Sequence, residues 1–598
     1  MTIDTITQKP GIITPFDREK GRDHAIAVVK SGRDATHLHK AKEHDHIPAP
    51  PPKGPGDSTI SPEEVQELRT LVSTGEVLTL ADGDQYEAAV FTGNLLYVRK
   101  APGAVVITNN VEEVQSTIKF AKTNNIQLTV KNGGHSYAGY CLNYGGIVLD
   151  MSKFKGVRVD LNSTPKTVTI QGGCRWDDVY NHFYEKGYTQ MVIGGQCPTV
   201  GVSGFTLGGG LSPFSRRYGL GIDSVLEMKI ITASGELVVV NHEDTDSKKS
   251  DLFWALRGGG GGNFGILTEF TTEIHELENS DGIVACGELT WELPRQQSDF
   301  EDMMKVFNTT KWPKELTMDA IWRYKAKKSP DEEPTLLAQL TVIYDGTEDD
   351  FRKATESLTR FGCTSDVKSM KWHDWVVIEE GFNSDSPVYH HHACFVFGEG
   401  AITPTVVSAI IELMAESYQL LQKYNPEGKS HVLWDHIGGQ TTEVGTKDTA
   451  FFWRDGFYVS NFKIQWTHPG IADEMFKFVT KVKETLLPHT VQGKAAYVNY
   501  IDSTVPNWQE AYYGDNYPRL QQIKADWDPD NFFHFEQSIE LPGTQGPRTG
   551  TGEDLERAIR KTRIIWDRYS LPNPEVIWRI EEPSGQKVLK AVREQVAP

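Results

Sequence analysis

The chain has few cysteines, no long apolar run and no excess of positive charge. Its six cysteines are widely spaced and include no CxxC pair, so neither a zinc site nor a thiol-exchange centre is indicated. No window reaches the length of a membrane-spanning helix, and the first residues lack the basic start and apolar core of a signal peptide. We therefore expect a cytoplasmic protein without membrane contact, secreted only if the N-terminus is incomplete.

Acidic residues outnumber basic ones, and this balance disfavours one class of partner. Lys and Arg total 61 against 81 for Asp and Glu, which gives a formal charge of -20. Such a chain is repelled by a phosphate backbone, so we expect no nucleic-acid partner. With 598 residues the chain is long enough for two or more domains with a deep site between them.

Residues 1–85 are expected to be an N-terminal extension. They carry HLHKAKEHDHIPAPPPKGPGD, in which histidines run into a proline-rich linker that cannot build a core. A solvated arm is a better interpretation than a weak metal site formed by its histidines, which are His37, His39, His44 and His46. A short helix follows in SPEEVQELRTL, where Ser61 is the N-cap, Pro62 is the first helical residue and Glu64 completes a capping box.

A strand, an amphipathic helix and a second strand lead to the first glycine-rich loop. Residues 104–107 are apolar, Asn110 is a helix N-cap, and apolar residues then recur at helical spacing. The alternating segment IQLTV predicts the second strand, which delivers the chain into KNGGHSYAGY with His135 at its centre. A surface turn would also explain this decapeptide. Glycines at the carboxyl end of a strand, however, are typical of loops that hold the phosphates of a nucleotide cofactor.

Two further glycine clusters follow. Residues 194–220 read GGQCPTVGVSGFTLGGGLSPFSRRYGL and place Cys197 among glycines, and residues 257–265 read RGGGGGNFG before a strand. A packing seam of small residues explains the glycines but not a histidine and a cysteine in two such loops. The clusters are not a Rossmann fingerprint, because GxGxxG should follow the first strand of a βαβ unit and precede an acidic residue by about 20 positions.

These motifs resemble the FAD-linked oxidases of the berberine bridge enzyme-like group, within the vanillyl-alcohol-oxidase type of flavin fold. The resemblance rests on GGHSY, on GxCxxVGVxGxxLGGG followed by RRYGL, and on RGGGGGNFGI, and it covers most of residues 90–280. It returns near the C-terminus in YVNYID and in YYGDNYPRLQQIKADWDPDNFFHFEQSI.

The resemblance implies an α+β fold of the PCMH type, with a two-part FAD-binding domain and an inserted substrate domain of antiparallel sheet covered by helices. We expect the FAD-binding domain over residues 86–278, completed by residues 496–545, with the substrate domain over residues 279–495. Residues 546–598 form a C-terminal extension in which ERAIRKTRIIWDRY is typical of an amphipathic helix. Substrate should then bind over the flavin, between the domains.

The resemblance also implies two covalent bonds to FAD, one from His135 to the 8α-methyl group and one from Cys197 to ring carbon 6. Val200 matches a small residue that leaves oxygen access to the flavin, which favours an oxidase over a dehydrogenase. Ile266 matches a residue at the adenine end, and Asn499 of YVNY joins the cofactor-binding set. The expected pyrophosphate site comprises Asn132, Gly133, Gly134, Ser136, Thr199, Gly201, Gly204 and Gly209.

The candidate base is Tyr500, because members of this group use the second tyrosine of the YVNY motif to take a proton from the substrate. If the motif is a strand without a bulge, alternation puts Tyr497 and Asn499 on one face and Tyr500 on the other. A tyrosine also needs a nearby positive charge or hydrogen bonds to act near neutral pH. Arg454 in TAFFWRDGFYVSNF is the candidate for that charge, and Tyr497 completes the candidate catalytic set.

We expect an FAD-dependent oxidase that converts an alcohol or lactol, or closes a ring, in a carbohydrate or secondary metabolite and reduces O2 to H2O2. Two alternatives stay open, a flavin dehydrogenase with another electron acceptor and a non-redox cyclase that keeps FAD as a scaffold. No metal site is expected. His390, His391 and His392 should alternate across a strand, so at most two of them share a face.

Overall fold

The computed structural model describes residues 60–92, 94–97, 100–327, 329, 331–379, 388–467, 471–505 and 507–543, and the backbone of two short strands near the C-terminus. The four histidines of the N-terminal arm and the tail segment ERAIRKTRIIWDRY lie outside these residues. No helix in the described ranges is long and apolar enough to cross a membrane.

The first part of the chain forms a four-stranded sheet. Strands β2 and β3 run parallel to β4 between them, and β1 pairs antiparallel with β2 at the edge. The predicted capping box of Ser61 and Glu64 and the predicted N-cap Asn110 are both confirmed. The elements are α1 (Pro62–Leu71), β1 (Glu76–Leu78), α2 (Asp84–Ala89), β2 (Ala104–Ile107), α3 (Val111–Thr123), β3 (Leu128–Lys131) and β4 (Ile147–Asp150).

A second sheet of five antiparallel strands follows, in the order β5-β6-β9-β7-β8. The second glycine cluster runs between α4 and β7, and the third lies between α7 and β9. The elements are β5 (Val157–Asp160), β6 (Thr167–Gln171), α4 (Trp176–Lys186), α5 (Val202–Leu207), α6 (Ser215–Tyr218), β7 (Val225–Ile231), β8 (Leu237–Asn241), α7 (Ser247–Leu256) and β9 (Ile266–Glu273).

The next part of the chain forms an eight-stranded antiparallel sheet, here called the substrate sheet. Its order is β13-β10-β12-β11-β16-β17-β15, and β14 also pairs with β10. The elements are β10 (Ile283–Leu293), α8 (Gln297–Thr309), β11 (Leu316–Tyr324), β12 (Leu336–Tyr344), α9 (Glu348–Thr359), β13 (Thr364–Ser365), β14 (Lys368–Lys371), α10 (Trp372–Glu379), β15 (Tyr389–Gly398), α11 (Pro404–Tyr424), β16 (Lys429–His436), α12 (Gln440–Glu443), β17 (Gly456–Trp466) and α13 (Ala472–Leu486).

Side-chain alternation gives the substrate sheet two different faces. On β15, Phe395 and Phe397 are buried in a core shared with α11 and α13, which cover one face. Cys394 and Val396 point the other way, into the core built by the glycine-loop part of the chain. The chain is therefore α+β, and its substrate sheet turns one face towards the glycine loops.

Residues 496–543 return to the glycine-loop part of the molecule. Helices α14 (Trp508–Tyr513) and α15 (Tyr517–Trp527) follow a short turn, and α15 packs on α7. The buried ammonium of Lys524 donates to the backbone oxygens of Asn263 and Phe533 and to Asp528, so it ties the third glycine loop to this C-terminal segment. The last two strands, β18 (Trp578–Glu581) and β19 (Val588–Ala591), pair with each other.

One buried arginine joins the glycine-loop part to the substrate sheet. Arg216 of α6 donates to the backbone oxygens of Leu316 at 2.7 Å and Ile437 at 2.8 Å, and its guanidinium lies 2.9 Å from Nε2 of His436. These bonds reach strands β11 and β16, so they fix the sheet against the glycine loops.

Candidate active site

The first and second glycine loops meet at one threonine. The Nε2 atom of His135 lies 2.9 Å from Oγ1 of Thr199, and the Sγ atom of Cys197 lies 3.6 Å from the same oxygen. The backbones of the loops touch, because a Cβ on Gly133 would lie only 2.5 Å from the nitrogen of Gly201. The two candidate attachment residues are therefore held side by side by loops that are far apart in the sequence.

The His135 side chain is exposed, and three basic side chains act on its ring. Desolvation and the positive charges of Arg175, Lys463 and Lys131 lower its pKa to about 4. The imidazole is consequently neutral near pH 7 and keeps a lone pair with which it can form a covalent bond.

The second and third glycine loops lie against each other and leave an open position at Gly204. Gly204 is exposed and a Cβ there would meet no atom within 4 Å, while the nearest atom to a Cβ on Gly261 is the Cα of Gly204 at 3.8 Å. At Gly258 the φ angle is +119°, and a Cβ would lie 2.3 Å from the nitrogen of Phe451, so only glycine fits this turn.

A buried hydroxyl near the third glycine loop also fits a bound ligand. Tyr140, in the first loop, stacks on Phe535 at 5.0 Å between ring centroids, and Phe535 approaches Gly262 of the third loop. The hydroxyl of Tyr140 is buried and has no hydrogen-bond partner among the described residues. A polar group of a cofactor would satisfy it. The residues present therefore fit FAD.

Other predicted cofactor residues shape the loops rather than offer free side chains. Asn132 donates to the backbone oxygens of Gly172 at 2.5 Å and Cys174 at 3.2 Å. The Ser136 hydroxyl accepts from the backbone of Tyr140, and the side chain of Ile266 is buried at the start of β9. Gly134 and Gly209 have positive φ angles and offer only their backbone to a ligand. Val200 offers a small, half-buried side chain.

The YVNY segment is a turn, so the predicted strand alternation is wrong. Val498–Tyr500 is a 3₁₀ turn closed by a bond from the nitrogen of Tyr500 to the oxygen of Tyr497. The rings of Tyr497 and Tyr500 consequently lie together, 5.4 Å apart and nearly perpendicular. The two tyrosines share one site instead of facing opposite sides of a sheet.

The first tyrosine and the asparagine of YVNY hold the second glycine loop. The hydroxyl of Tyr497 accepts from the backbone nitrogen of Gly210 at 3.0 Å and from Asn499 at 2.9 Å. Asn499 also donates to the backbone oxygen of Phe205 at 2.9 Å. Both residues therefore position the loop that contains Gly204 and Gly209.

Tyr500 has a partner that the sequence did not indicate. Its hydroxyl donates to Oδ2 of Asp435 on β16 at 2.9 Å. Burial and the charge of Asp435 raise the pKa of Tyr500 well above its ordinary value, so the phenol stays protonated near pH 7. A phenol bonded to a carboxylate can take a proton while it passes its own to that carboxylate.

A second carboxyl group lies beside Asp435. Burial and the negative charge of Asp435 raise the pKa of Asp319 on β11 well above its ordinary value. Asp319 accepts from the backbone of His436 at 2.6 Å and from the side chain of Gln196 at 3.3 Å. Gln196 directly precedes Cys197, so this pair of carboxyls is linked to the second glycine loop.

Arg454 is not the supporting charge for Tyr500. Its guanidinium forms two bonds of 2.8 Å with Asp223 and one of 2.6 Å with Thr449. It lies over Phe451, whose ring in turn contacts Tyr497. Asp223 neutralises the charge of Arg454, which instead borders a separate cavity of about 750 Å³ together with Asp455 and His489.

The three consecutive histidines alternate across β15, as predicted. His391 stacks on Phe476 of α13 on the helix-covered face. His392 is bonded to the backbone oxygen of Tyr500 at 3.0 Å on the other face, and His390 contacts Asn94. No group of metal-binding side chains occurs in the part of the chain that the structure describes.

Models of known families match the two segments of the chain that form the site. A model described as FAD binding domain matches residues 102–241, and one described as berberine and berberine like matches residues 496–540. The first segment carries the histidine and cysteine loops, and the second carries the YVNY turn.

Curated relatives extend over most of the chain. An FAD-linked oxidoreductase of Bacillus subtilis, YgaK, is 27% identical over 474 residues, which are 78% of this chain and 97% of that protein. Berberine bridge enzyme-like 12 of Arabidopsis thaliana is 26% identical over 483 residues, which are 73% of this chain and 84% of that protein.

Solved structures share the fold. Berberine bridge enzyme from Eschscholzia californica superposes with a TM-score of 0.69 at 21% identity, covering 80% of this chain and 99% of that chain. Xylooligosaccharide oxidase from Myceliophthora thermophila in complex with xylobiose superposes with a TM-score of 0.66 at 22% identity, covering 80% and 99%.

Proposed function

Since the chain is an FAD-linked oxidoreductase of the berberine bridge enzyme-like group, we propose that it is an oxidase with FAD attached covalently through both His135 and Cys197. Its substrate is a small organic molecule with an alcohol or lactol group, or one that undergoes oxidative ring closure, and O2 is the electron acceptor that yields H2O2. The observation that carries the proposal is the shared contact of His135 and Cys197 with Thr199. The 8α-methyl group and carbon 6 belong to the same ring of a flavin, so one flavin can bond to two side chains held this close together.

FAD, when bound, supplies the two-electron chemistry by accepting a hydride from the substrate carbon. Gly204 and the glycines of the third loop would hold the dinucleotide, and the neutral imidazole of His135 and the thiol of Cys197 would anchor the ring. Tyr497 and Asn499 keep the second glycine loop in place from the other side.

The chain itself moves the proton of the reaction. Tyr500 takes the proton of the substrate hydroxyl at its own oxygen and passes its phenolic proton to Oδ2 of Asp435, 2.9 Å away. Asp319, whose pKa is raised by burial and by the charge of Asp435, adds a second carboxyl group beside this route. The proposed base is thus Tyr500 acting together with Asp435.

The names of structural relatives span two chemical classes of substrate. One relative was solved with xylobiose and another with (S)-reticuline, a carbohydrate and an alkaloid. The proposal therefore extends to small oxygenated molecules of either kind.

Acid precipitation of the purified protein tests the covalent attachment, with intact mass measured alongside. We expect the yellow colour to stay in the pellet and the mass to exceed the chain by one FAD. His135→Ala and Cys197→Ala should each keep the flavin through the remaining bond, and the double variant should release it. Release from the parent protein contradicts the two-point attachment.

Oxygen consumption and peroxide formation with a substrate panel test the oxidase assignment. Peroxide should form in proportion to product. Reduced flavin that persists in air would point to a dehydrogenase, and product formed without oxygen consumption would point to a cyclase.

A further inference from the structure

A row of basic side chains crosses the substrate sheet on the face that meets the glycine loops. His392 of β15 pairs with Lys463 of β17, Lys463 pairs with His431 of β16, and His431 pairs with Arg323 of β11. Residues directly opposite each other in antiparallel strands project from the same face, so these four side chains form one continuous line, here called the basic row.

The basic row lies beside the candidate active site. The ammonium of Lys463 is 5.1 Å from the ring of Tyr137, which follows His135 by two positions in the first glycine loop. The same ring contacts His392 at 4.6 Å and Tyr500 at 5.7 Å between centroids. The ring of Tyr137 therefore connects the basic row to Tyr500.

The charge of the row is carried by its lysine and its arginine. Burial lowers the pKa of His392 to about 4 and of His431 to about 3, and Lys463 contributes to both shifts, so these histidines are neutral at pH 7. Arg323 is exposed, donates to the side chain of Gln339 at 3.3 Å, and takes part in no ion pair among the described residues. Beyond it the row continues through Leu337 to Glu292, which is paired with Lys325 and Arg295.

Acidic groups lie at the other end of the same face. Asp435 follows His431 by four residues on β16, a separation of about 13 Å along a strand. Asp435 binds the hydroxyl of Tyr500, and Asp319 lies beside it. The face is therefore basic along the row and acidic around the hydroxyl of Tyr500.

We propose that Lys463 and Arg323 bind the carboxylate of an anionic substrate while its oxidisable carbon lies at Tyr500. This inference rests on the proposed function, because it assigns a substrate class to the same site. An ammonium and a guanidinium with an accessible edge are the donors that recognise carboxylates most strongly. The neutral His431 between them adds a hydrogen-bonding group without charge. A cationic substrate is disfavoured by the same row.

Isothermal titration calorimetry on the purified holoenzyme tests this proposal with two matched pairs of probes, benzoate with benzamide and D-glucuronate with D-glucose. Within at least one pair, the acid should bind about ten-fold more tightly than its neutral partner, the expected gain for a charged hydrogen bond. Higher salt should weaken the binding of the acid alone.

Two variants and one control test whether Lys463 and Arg323 cause the tighter binding of the acid. Lys463→Met should abolish the preference for the acid, and Arg323→Gln should reduce it. Lys477→Met, the same change at an exposed lysine of α13, should leave it intact. The proposal is overturned if the neutral partners bind as tightly as the acids, if no probe binds, or if the preference survives in both Lys463→Met and Arg323→Gln.

Calorimetry separates this proposal from the proposed oxidase function. It measures binding without electron transfer, so a preference that depends on Lys463 supports the anion site even if the flavin proves to be released by acid. A firmly attached flavin without any acid preference overturns the anion site and leaves the oxidase assignment standing.

Discussion

At the scale of single residues, the bond between Tyr500 and Asp435 is the feature on which the proposed chemistry depends. A tyrosine whose pKa is raised by burial and by a carboxylate is a poor base alone, because its anion is disfavoured. The same bond gives the leaving phenolic proton a place to go. The carboxylate therefore disfavours the tyrosine anion but also accepts the phenolic proton. The proton can then move in two steps, from substrate to Tyr500 and from Tyr500 to Asp435.

Tyr500→Phe and Asp435→Asn should both slow reduction of the bound flavin by about 10²- to 10⁴-fold, the usual contribution of a general base. Anaerobic stopped-flow absorbance with a substrate from the peroxide screen measures this rate. Tyr424→Phe is the matched control, because Tyr424 ends α11, which packs on the opposite face of the substrate sheet. Reduction of Tyr500→Phe at the parental rate contradicts the assignment.

At the scale of elements, the YVNY turn and the second glycine loop interlock. The Cβ of an alanine at position 208 would lie 2.0 Å from Oδ1 of Asn499, whereas one at position 204 would meet nothing within 4 Å. Gly204 lies within α5 and Gly208 directly follows it, and the two positions differ in the space around them. Asn499 fills the space at position 208, whereas position 204 is open and faces the proposed nucleotide site.

Gly208→Ala should displace the turn and lower the free energy of unfolding by about 1–3 kcal/mol, as overpacking does. Thermal unfolding measures the loss, and flavin content should fall with it. Gly204→Ala should not lower the unfolding temperature of flavin-free protein, because alanine favours a helix over glycine, and it should reduce flavin content alone. Adding Asn499→Ala to Gly208→Ala should recover part of the loss; fully additive effects would show that the two groups do not clash.

Sequence patterns correctly predicted those elements that are determined by residues close together in the chain. The capping box at Ser61, the helix after Asn110 and the alternation of His390, His391 and His392 all follow from neighbouring residues, and the structure confirms each of them. The histidine and cysteine loops could be identified because glycine clusters are rare and specific. The family resemblance supplied the order of the larger units, whose exact boundaries stay a prediction.

Partners that are distant in the chain could not be predicted. Asp435 lies 65 residues from Tyr500, and Asp223 lies 231 residues from Arg454, so no local pattern indicates either bond. The YVNY segment has strand-forming residues, but the bonds of Tyr497 to Gly210 and Asn499 favour a turn. Tertiary contacts overrode local preference at these places.

At the scale of the whole molecule, buried neutral histidines should make the fold sensitive to acid. Burial is the main cause that lowers the pKa of His392 from 6.5 to about 4 and of His391 from 6.5 to about 3. As the pH falls below 6.5 the unfolded chain takes up protons that the folded chain does not. Stability is therefore present above pH 6.5 and falls as the pH decreases towards 4.

Thermal unfolding midpoints measured between pH 7 and pH 4 test this expectation. The midpoint should fall with decreasing pH, because the free energy of unfolding decreases by up to about 1.4 kcal/mol per pH unit for each fully buried histidine. His392→Gln should flatten the dependence, because glutamine can keep the bond to the backbone of Tyr500 and does not titrate. His242→Gln, at an exposed position, should follow the parent curve, and an unchanged slope in His392→Gln contradicts the explanation.

The contacts between the second glycine loop and the YVNY turn can form only late in the synthesis of the chain. Gly210 leaves the ribosome 287 residues before Tyr497, the residue that holds it in place. At common elongation rates the synthesis of these residues takes roughly 15 to 60 s. During this time the nascent loop lacks its hydrogen bond to Tyr497. Flavin incorporation is accordingly expected to be a late step, open only to a chain whose translation is nearly complete, and ribosome-bound fragments that end before residue 496 should not retain the cofactor.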